Sequence, residues 1–397
     1  MGKTIAVLGG GWGGLTAAHA LKGLLSNEHR IVIIEKKESF TFYPSFIRVI
    51  VGEKPDLKYV ESPLKNLIRK DLEIIQENII AVDAANKIVT TDKQKLTCDY
   101  IIIATGAELF PETISGFNEN ALNLYDTKGA FQIYDELKTM NKGKIALVIS
   151  ATPFRCPPAP YEAAMMASWF LKERGVRKDV EISIYTPEKF PMPSAGAAVG
   201  ELFKEILKKH NINFFPEHSV SKIESNKIIH FKSGTTADYD LLIGVPPHGV
   251  SKAIKDSGLT DASGYIPTHP QTMEILDVAD ELTTKYPGVF AIGDVAGIKL
   301  LNEKYLPKGG VFAEEEAHTV ARNIAAAIKN EKANASFNGK GVCYVDVGEG
   351  MAAEGSGDFY AYPEPVVTLE IPTIESRRAK HEFERVFEWW FTEYQNK

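Results

Sequence analysis

The stretch Thr4-Ile5-Ala6-Val7-Leu8-Gly9-Gly10-Gly11-Trp12-Gly13-Gly14 decides the fold. Its apolar, β-branched first half reads as a buried parallel strand, and it stops abruptly in a glycine-rich turn before the helical run LTAAHALKGLL. Gly9 permits the tight turn, Gly11 lets backbone N–H groups approach a pyrophosphate, and Gly14 lets the helix pack closely on the strand. A second strand, Ile31 to Ile34, ends in Glu35, about 20 residues beyond Gly14, where a carboxylate accepts ribose hydroxyls and repels a 2′-phosphate. The order of strand, loop, helix, strand and acid makes a dinucleotide site a better reading than a glycine-rich turn with no ligand.

Working outward, 397 residues are more than one core usually organises, so at least two domains are expected. The 45 Lys+Arg and 52 Asp+Glu are well mixed along the chain, which leaves no basic patch for nucleic acid. Three cysteines cannot frame so long a chain and fit a reducing compartment, where a thiol is inert or catalytic. The start runs straight into a strand and no stretch reaches the roughly 20 apolar residues that span a bilayer, so the expected place is the cytoplasm, or the inner face of the cell membrane. No metal site is expected.

Two more strand-then-turn units follow. Tyr100 to Ala104 leads into Thr105-Gly106-Ala107, and Val289 to Ile292 leads into Gly293-Asp294-Val295-Ala296. Asp294 can take a ribityl hydroxyl while neighbouring N–H groups face phosphate. Together with the glycine loop, these units resemble the two-dinucleotide-domain flavoproteins over most of residues 1–330. That resemblance implies an α/β fold of two Rossmann-like domains with FAD in the first, plus a carboxy-terminal segment. The expected boundaries are 1–110 and 251–332 for the FAD domain, 111–250 for the second Rossmann-like domain, and 333–397 for the rest.

The second unit begins with the strand Ile145 to Ile149, but its loop, Ser150-Ala151-Thr152-Pro153-Phe154-Arg155-Cys156-Pro157-Pro158, has no glycine. Proline removes the N–H donors that phosphates need, so a nicotinamide cofactor is not expected there. Cys156 stands instead before a helix and beside Arg155, a setting expected to lower its pKa. The common alternative is a small buried hydrophobe. FRCPPAPYEAA resembles the corresponding stretch of the sulfide:quinone oxidoreductases and of the flavoprotein subunit of flavocytochrome c. The resemblance implies a redox pair between Cys156 and Cys343, which lies in the strand-like run Gly341 to Gly348; spacing alone is silent on it. Cys98 is read as a packing residue.

The resemblance further implies sulfide oxidation. Hydrosulfide attacks the Cys156–Cys343 disulfide, a persulfide forms, and two electrons pass to FAD and on to a quinone. Glu162, one helical turn past Cys156, is a candidate proton handler. Lys308, in Leu306-Pro307-Lys308-Gly309-Gly310, is expected to face the flavin, against the alternative of a solvated loop lysine. Phe40 to Pro44 lacks the cysteine that links flavin covalently in the flavocytochrome subunit, and 121–126 lacks the extra cysteine of many quinone-reducing members. Non-covalent FAD is therefore expected.

Phe383, Val386, Phe387, Trp390, Phe391 and Tyr394 form an aromatic stripe at helical spacing. With Arg377, Arg378 and Lys380 nearby it suits a membrane interface; docking on the chain itself or on a second copy in a homo-oligomer is an equal alternative, and Glu382, Glu384, Glu388 and Glu393 weaken lipid binding. Three other functions stay open: a type II NADH:quinone oxidoreductase, a soluble sulfide dehydrogenase using a cytochrome c, and a flavin redox sensor without turnover.

Overall fold

The computed structural model describes residues 2–395, with side chains as far as Glu384. Thr4–Leu8 is the middle strand of a parallel sheet ordered Glu73–Ile75, Arg30–Ile34, Thr4–Leu8, Tyr100–Ile103, Val289–Ala291. Val7 stands opposite Ile33 on one side and Ile102 on the other, all in the same direction. The strand is an unbroken apolar run because both of its faces are covered; Ile5, Ala6, Val7 and Leu8 are wholly buried. The helices Trp12–Leu24 and Gly310–Ile328 pack on one another and bury Leu15, Leu21, Val320 and Ile324 in the same core. Strand order reverses at Thr4–Leu8, so a crevice opens beyond the carboxyl ends of Thr4–Leu8 and Tyr100–Ile103, where open α/β sheets bind ligands.

The chain leaves this sheet after Ile103 and builds a second one before returning. Its order is Leu122–Asn123, Leu241–Val245, Gly143–Ile149, Val180–Tyr185, Ile212–Phe215, again all parallel with the earliest long strand in the middle. It has a core of its own, centred on Leu147, Ile149, Tyr161, Met165 and Phe203. The two Rossmann-like units expected from the sequence are therefore both present.

A third, antiparallel sheet of Lys340–Gly348, Met351–Asp358 and Val366–Leu369 follows, and the helix Ile374–Gln395 packs against its middle strand. The first half of that helix corrects one expectation. Arg377 and Lys380 do not wait for lipid headgroups. Lys380 is buried between Glu162 (2.6 Å) and Asp346 (2.8 Å), and Arg377 pairs with Glu53 and, at 3.6 Å, with Asp346. Glu384 is likewise buried, paired with Arg48 at 2.8 Å and Lys54 at 3.0 Å. Phe383 stacks on Trp12 of the glycine loop, ring centroids 5.6 Å apart. The rest of the aromatic stripe, Val386, Phe387, Trp390, Phe391 and Tyr394, lies outside the residues whose side chains are described. Among the described residues no helix is long and apolar enough to cross a membrane.

Candidate active site

The three sheets meet around a large cavity of about 890 Å³. Its floor is the glycine loop. Gly9 has φ +111°, and a Cβ there would meet the Ala104 carbonyl oxygen at 2.3 Å; one on Gly14 would meet the Gly9 carbonyl oxygen at 2.0 Å. Nothing lies within 4 Å of the place a Gly11 Cβ would take, so the start of the first helix is open to the cavity. Glu35 reaches the same floor and is held there by the N–H groups of Gly10 (2.8 Å) and Lys37 (2.9 Å).

Two walls come from the other turns. Thr105 lines the cavity, and its buried hydroxyl has no partner among the described residues. Gly106 and Gly293 both have positive φ, 68° and 70°. The Gly293 N–H donates to Glu316 at 2.6 Å, and burial pushes that carboxyl up to about 7. Asp294 lines the wall beside it. Lys308 is no solvated loop residue: it is buried, its ammonium donates to the carbonyls of Asp294 (2.7 Å) and Ala296 (3.1 Å), and it lies 3.7 Å over the Tyr265 ring. Burial lowers its pKa to about 8. It lines the cavity, and its ammonium braces the Gly293-Asp294 turn there.

Cys156 and Cys343 share the opposite wall with Glu162. Cys343 arrives on the strand Lys340–Gly348, far along the chain, because that strand packs on the helix Ala159–Glu173. Cys156 is held at φ 51°, a conformation that L side chains seldom adopt, by its N–H donating to the Lys308 carbonyl at 2.7 Å and by Tyr125, whose hydroxyl donates to the Arg155 carbonyl at 2.7 Å. The expected drop in the Cys156 pKa is not what this wall produces. Burial, then the Glu162 charge, then Cys343 push the thiol strongly up, with Lys380 opposing. Burial likewise pushes Cys343 up to about 11. The Ala159 N–H, which also donates to the Cys156 carbonyl, favours the thiolate only weakly beside burial, and Pro158 and Pro160 offer no N–H. Glu162 lies beneath both sulfurs with its carboxylate shared between Lys380 and the Asp346 N–H (2.7 Å). Cys98 is buried in the first core and contributes nothing to the cavity wall.

The second unit's loop, 150–158, holds no glycine and leads into the helix Ala159–Glu173 through Pro157 and Pro158. Tyr161, where a nucleotide-binding helix would stay slim, is wholly buried against Phe203 and Phe214 and donates its hydroxyl to Glu188.

Residues 3–323 match the family model described as pyridine nucleotide-disulphide oxidoreductase. The chain belongs to that family. Among its relatives, it is 26% identical to a sulfide-quinone reductase of Aquifex aeolicus, over 98% of this chain and 90% of that protein. It is 23% identical to a mitochondrial sulfide:quinone oxidoreductase of Mus musculus, over 90% and 79% respectively. The solved structure of the Aquifex aeolicus sulfide:quinone oxidoreductase superposes with a TM-score of 0.84 at 23% identity, covering 99% of this chain and 92% of that one. Within this family fold, the residues lining the cavity fit FAD: an open helix start at Gly11, a carboxylate at Glu35, and a buried Thr105 hydroxyl with no partner among the described residues.

Sequence reasoning found the floor of the cavity and both cysteines. It missed Tyr125, Asp346 and Glu316, and it misread Lys380. The one available signal was the place of Lys380 and Glu384, three residues before and one after Phe383, which sets two charges beside the aromatic stripe.

Proposed function

We propose that this chain is an FAD-dependent sulfide dehydrogenase that passes its electrons to a quinone. The observation that carries the reading is the shared wall of Cys156 and Cys343 on the cavity floored by the glycine loop. The relatives named for sulfide and quinone support it, and so does the proline-filled second loop, which disfavours an NADH:quinone oxidoreductase. FAD, when bound, supplies a two-electron acceptor beside the sulfurs. The protein's part begins with a Cys156–Cys343 disulfide: hydrosulfide forms an S–S bond to one sulfur, the disulfide bond breaks, and the other sulfur leaves as thiolate. The wall that raises both thiol pKa values makes that thiolate poorly solvated and a strong electron donor, since nucleophilicity rises with pKa. Glu162 and Lys380 handle the proton beneath the pair. Gly9, Gly11, Gly14, Glu35, Thr105, Gly106, Gly293 and Asp294 hold the cofactor, with Lys308 bracing the last of these turns. The domain division at residues 110, 250 and 332 belongs to the same proposal.

Non-covalent attachment follows from Phe40-Thr41-Phe42-Tyr43-Pro44, which has no cysteine. Acid precipitation is expected to leave the yellow colour in the supernatant as FAD; colour retained in the pellet contradicts it.

The acceptor side is assigned to the aromatic end, where Trp12 packs on Phe42 at 5.6 Å and on Phe383. An apolar quinone suits such walls, and the distal part of the last helix is proposed as its membrane-surface guide. Because Lys380 and Glu384 are each buried in ion pairs with other elements, the cut that tests this falls after Glu384, not before Arg377. The shortened chain is expected to stay yellow and sulfide-reducible, to lose liposome binding, and to slow with long-tailed quinones. Unchanged quinone reduction removes the tail from the account.

A further inference from the structure

Arg155 is a half-buried cation on the cavity wall. Arg48, Lys54, Arg377 and Lys380 each have a carboxylate partner. Arg155, by contrast, has no ion pair among the described residues, and its buried Nε has no hydrogen-bond partner. Its guanidinium lies 3.8 Å over the ring of Tyr43 and 5.7 Å from that of Tyr125, and all three residues line the cavity together with Cys156. A cation held between aromatic faces keeps its orientation without being neutralised. The His248 ring, edge-on to Tyr125 at 4.8 Å, is kept neutral by burial and by Arg155 itself, with a pKa of about 3, and Glu162 is already compensated by Lys380. A partly buried charge without a partner is costly, and an incoming anion removes that cost.

We propose that Arg155 is an anion-receiving residue of the cysteine cavity, which draws a small sulfur anion, hydrosulfide or the charged end of a hydropolysulfide, to the sulfur of Cys156. Its backbone is fixed for this task by the Tyr125 hydroxyl, and the next residue is the nucleophile's partner. The identity of the anion rests on the sulfide reading above; the anion site itself does not.

The test uses FAD-loaded protein with its cysteines reduced. Cys156 is alkylated with anionic iodoacetate and, separately, with neutral iodoacetamide, each rate read by mass spectrometry of the Cys156 peptide. Both reagents sense the same thiolate fraction and the same accessibility, so their ratio isolates the recruited charge. Arg155→Gln is expected to lower the iodoacetate-to-iodoacetamide ratio about fivefold or more, Arg155→Lys to retain most of it, and the KM for sulfide to rise in Arg155→Gln with kcat little changed. In the unsubstituted protein thiosulfate should slow iodoacetate more than iodoacetamide, which reads the same site should a variant fail to fold. An unchanged ratio in Arg155→Gln, loss of FAD from that variant, or equal effects of thiosulfate on both reagents overturns the proposal. A lowered ratio in a protein that sulfide does not reduce leaves the anion site standing and removes the sulfide reading instead.

Discussion

Cys156→Ser and Cys343→Ser each slow reduction of the flavin by sulfide by about 1000-fold or more, while FAD stays bound and Cys98→Ser changes little. The size of the effect follows from the chemistry. Hydrosulfide needs a disulfide to attack, and a serine oxygen can neither form that bond nor leave from it. The selectivity follows from position: Cys156 and Cys343 share the cavity wall, whereas Cys98 is buried in the first core with its thiol toward the Leu96 carbonyl. FAD retention follows because the glycine loop, Glu35 and the two turns do not depend on either sulfur. Stopped-flow bleaching of the flavin band measures the rate, and cofactor content is read from the spectrum before mixing. A Cys156→Ser enzyme that turns over near normally removes the disulfide from the mechanism.

Lys380→Met has the second large effect, on stability. Its ammonium is the shared counter-charge of Glu162 and Asp346, and all three groups are almost out of reach of water. Removing one partner of a buried ion pair leaves charge behind without compensation, at a cost of about 3–5 kcal/mol. Asp346 keeps Arg377, but Glu162 keeps only a backbone N–H. The thermal midpoint of the FAD-loaded protein is therefore expected to fall by roughly 5–10 °C. Adding Glu162→Gln removes the stranded charge, so the double variant should recover part of the loss; equal midpoints for single and double variants contradict the pairing. Lys380 also opposes the rise of both thiol pKa values, so without it the departing thiolate is a poorer leaving group and sulfide reactivity at neutral pH should decline alongside stability.

What the sequence disclosed and what it hid divide along a physical line. The glycine loop is legible because its requirements are local: Gly9 needs its positive φ, Gly14 its close approach, and Glu35 its place at a strand end. The failure of the second loop is legible for the same reason, since a proline lacks its N–H wherever the fold puts it. The meeting of Cys156 with Cys343 is not local. It depends on a late strand packing on the helix that starts at Ala159, and only the family resemblance pointed to it. The electrostatics of that wall were misjudged because the neighbours in sequence, Arg155 and the helix start, are not the neighbours that matter. Arg155 turns to Tyr43, the help of the Ala159 N–H is small, and burial decides. Lys380 and Arg377 were read as surface charges on an amphipathic helix because nothing in a helical pattern tells that two acids from other elements, Glu162 and Asp346, will come to meet them.

The central claim is that electrons enter this protein from sulfide through the cysteine wall and not from a nicotinamide through the second Rossmann-like unit. One anaerobic titration of the flavin band tests it. Sulfide should bleach the oxidised flavin of the FAD-loaded protein, a soluble quinone should restore it, and NADH added to a fresh sample should leave it yellow. Bleaching by NADH with no response to sulfide would contradict the account.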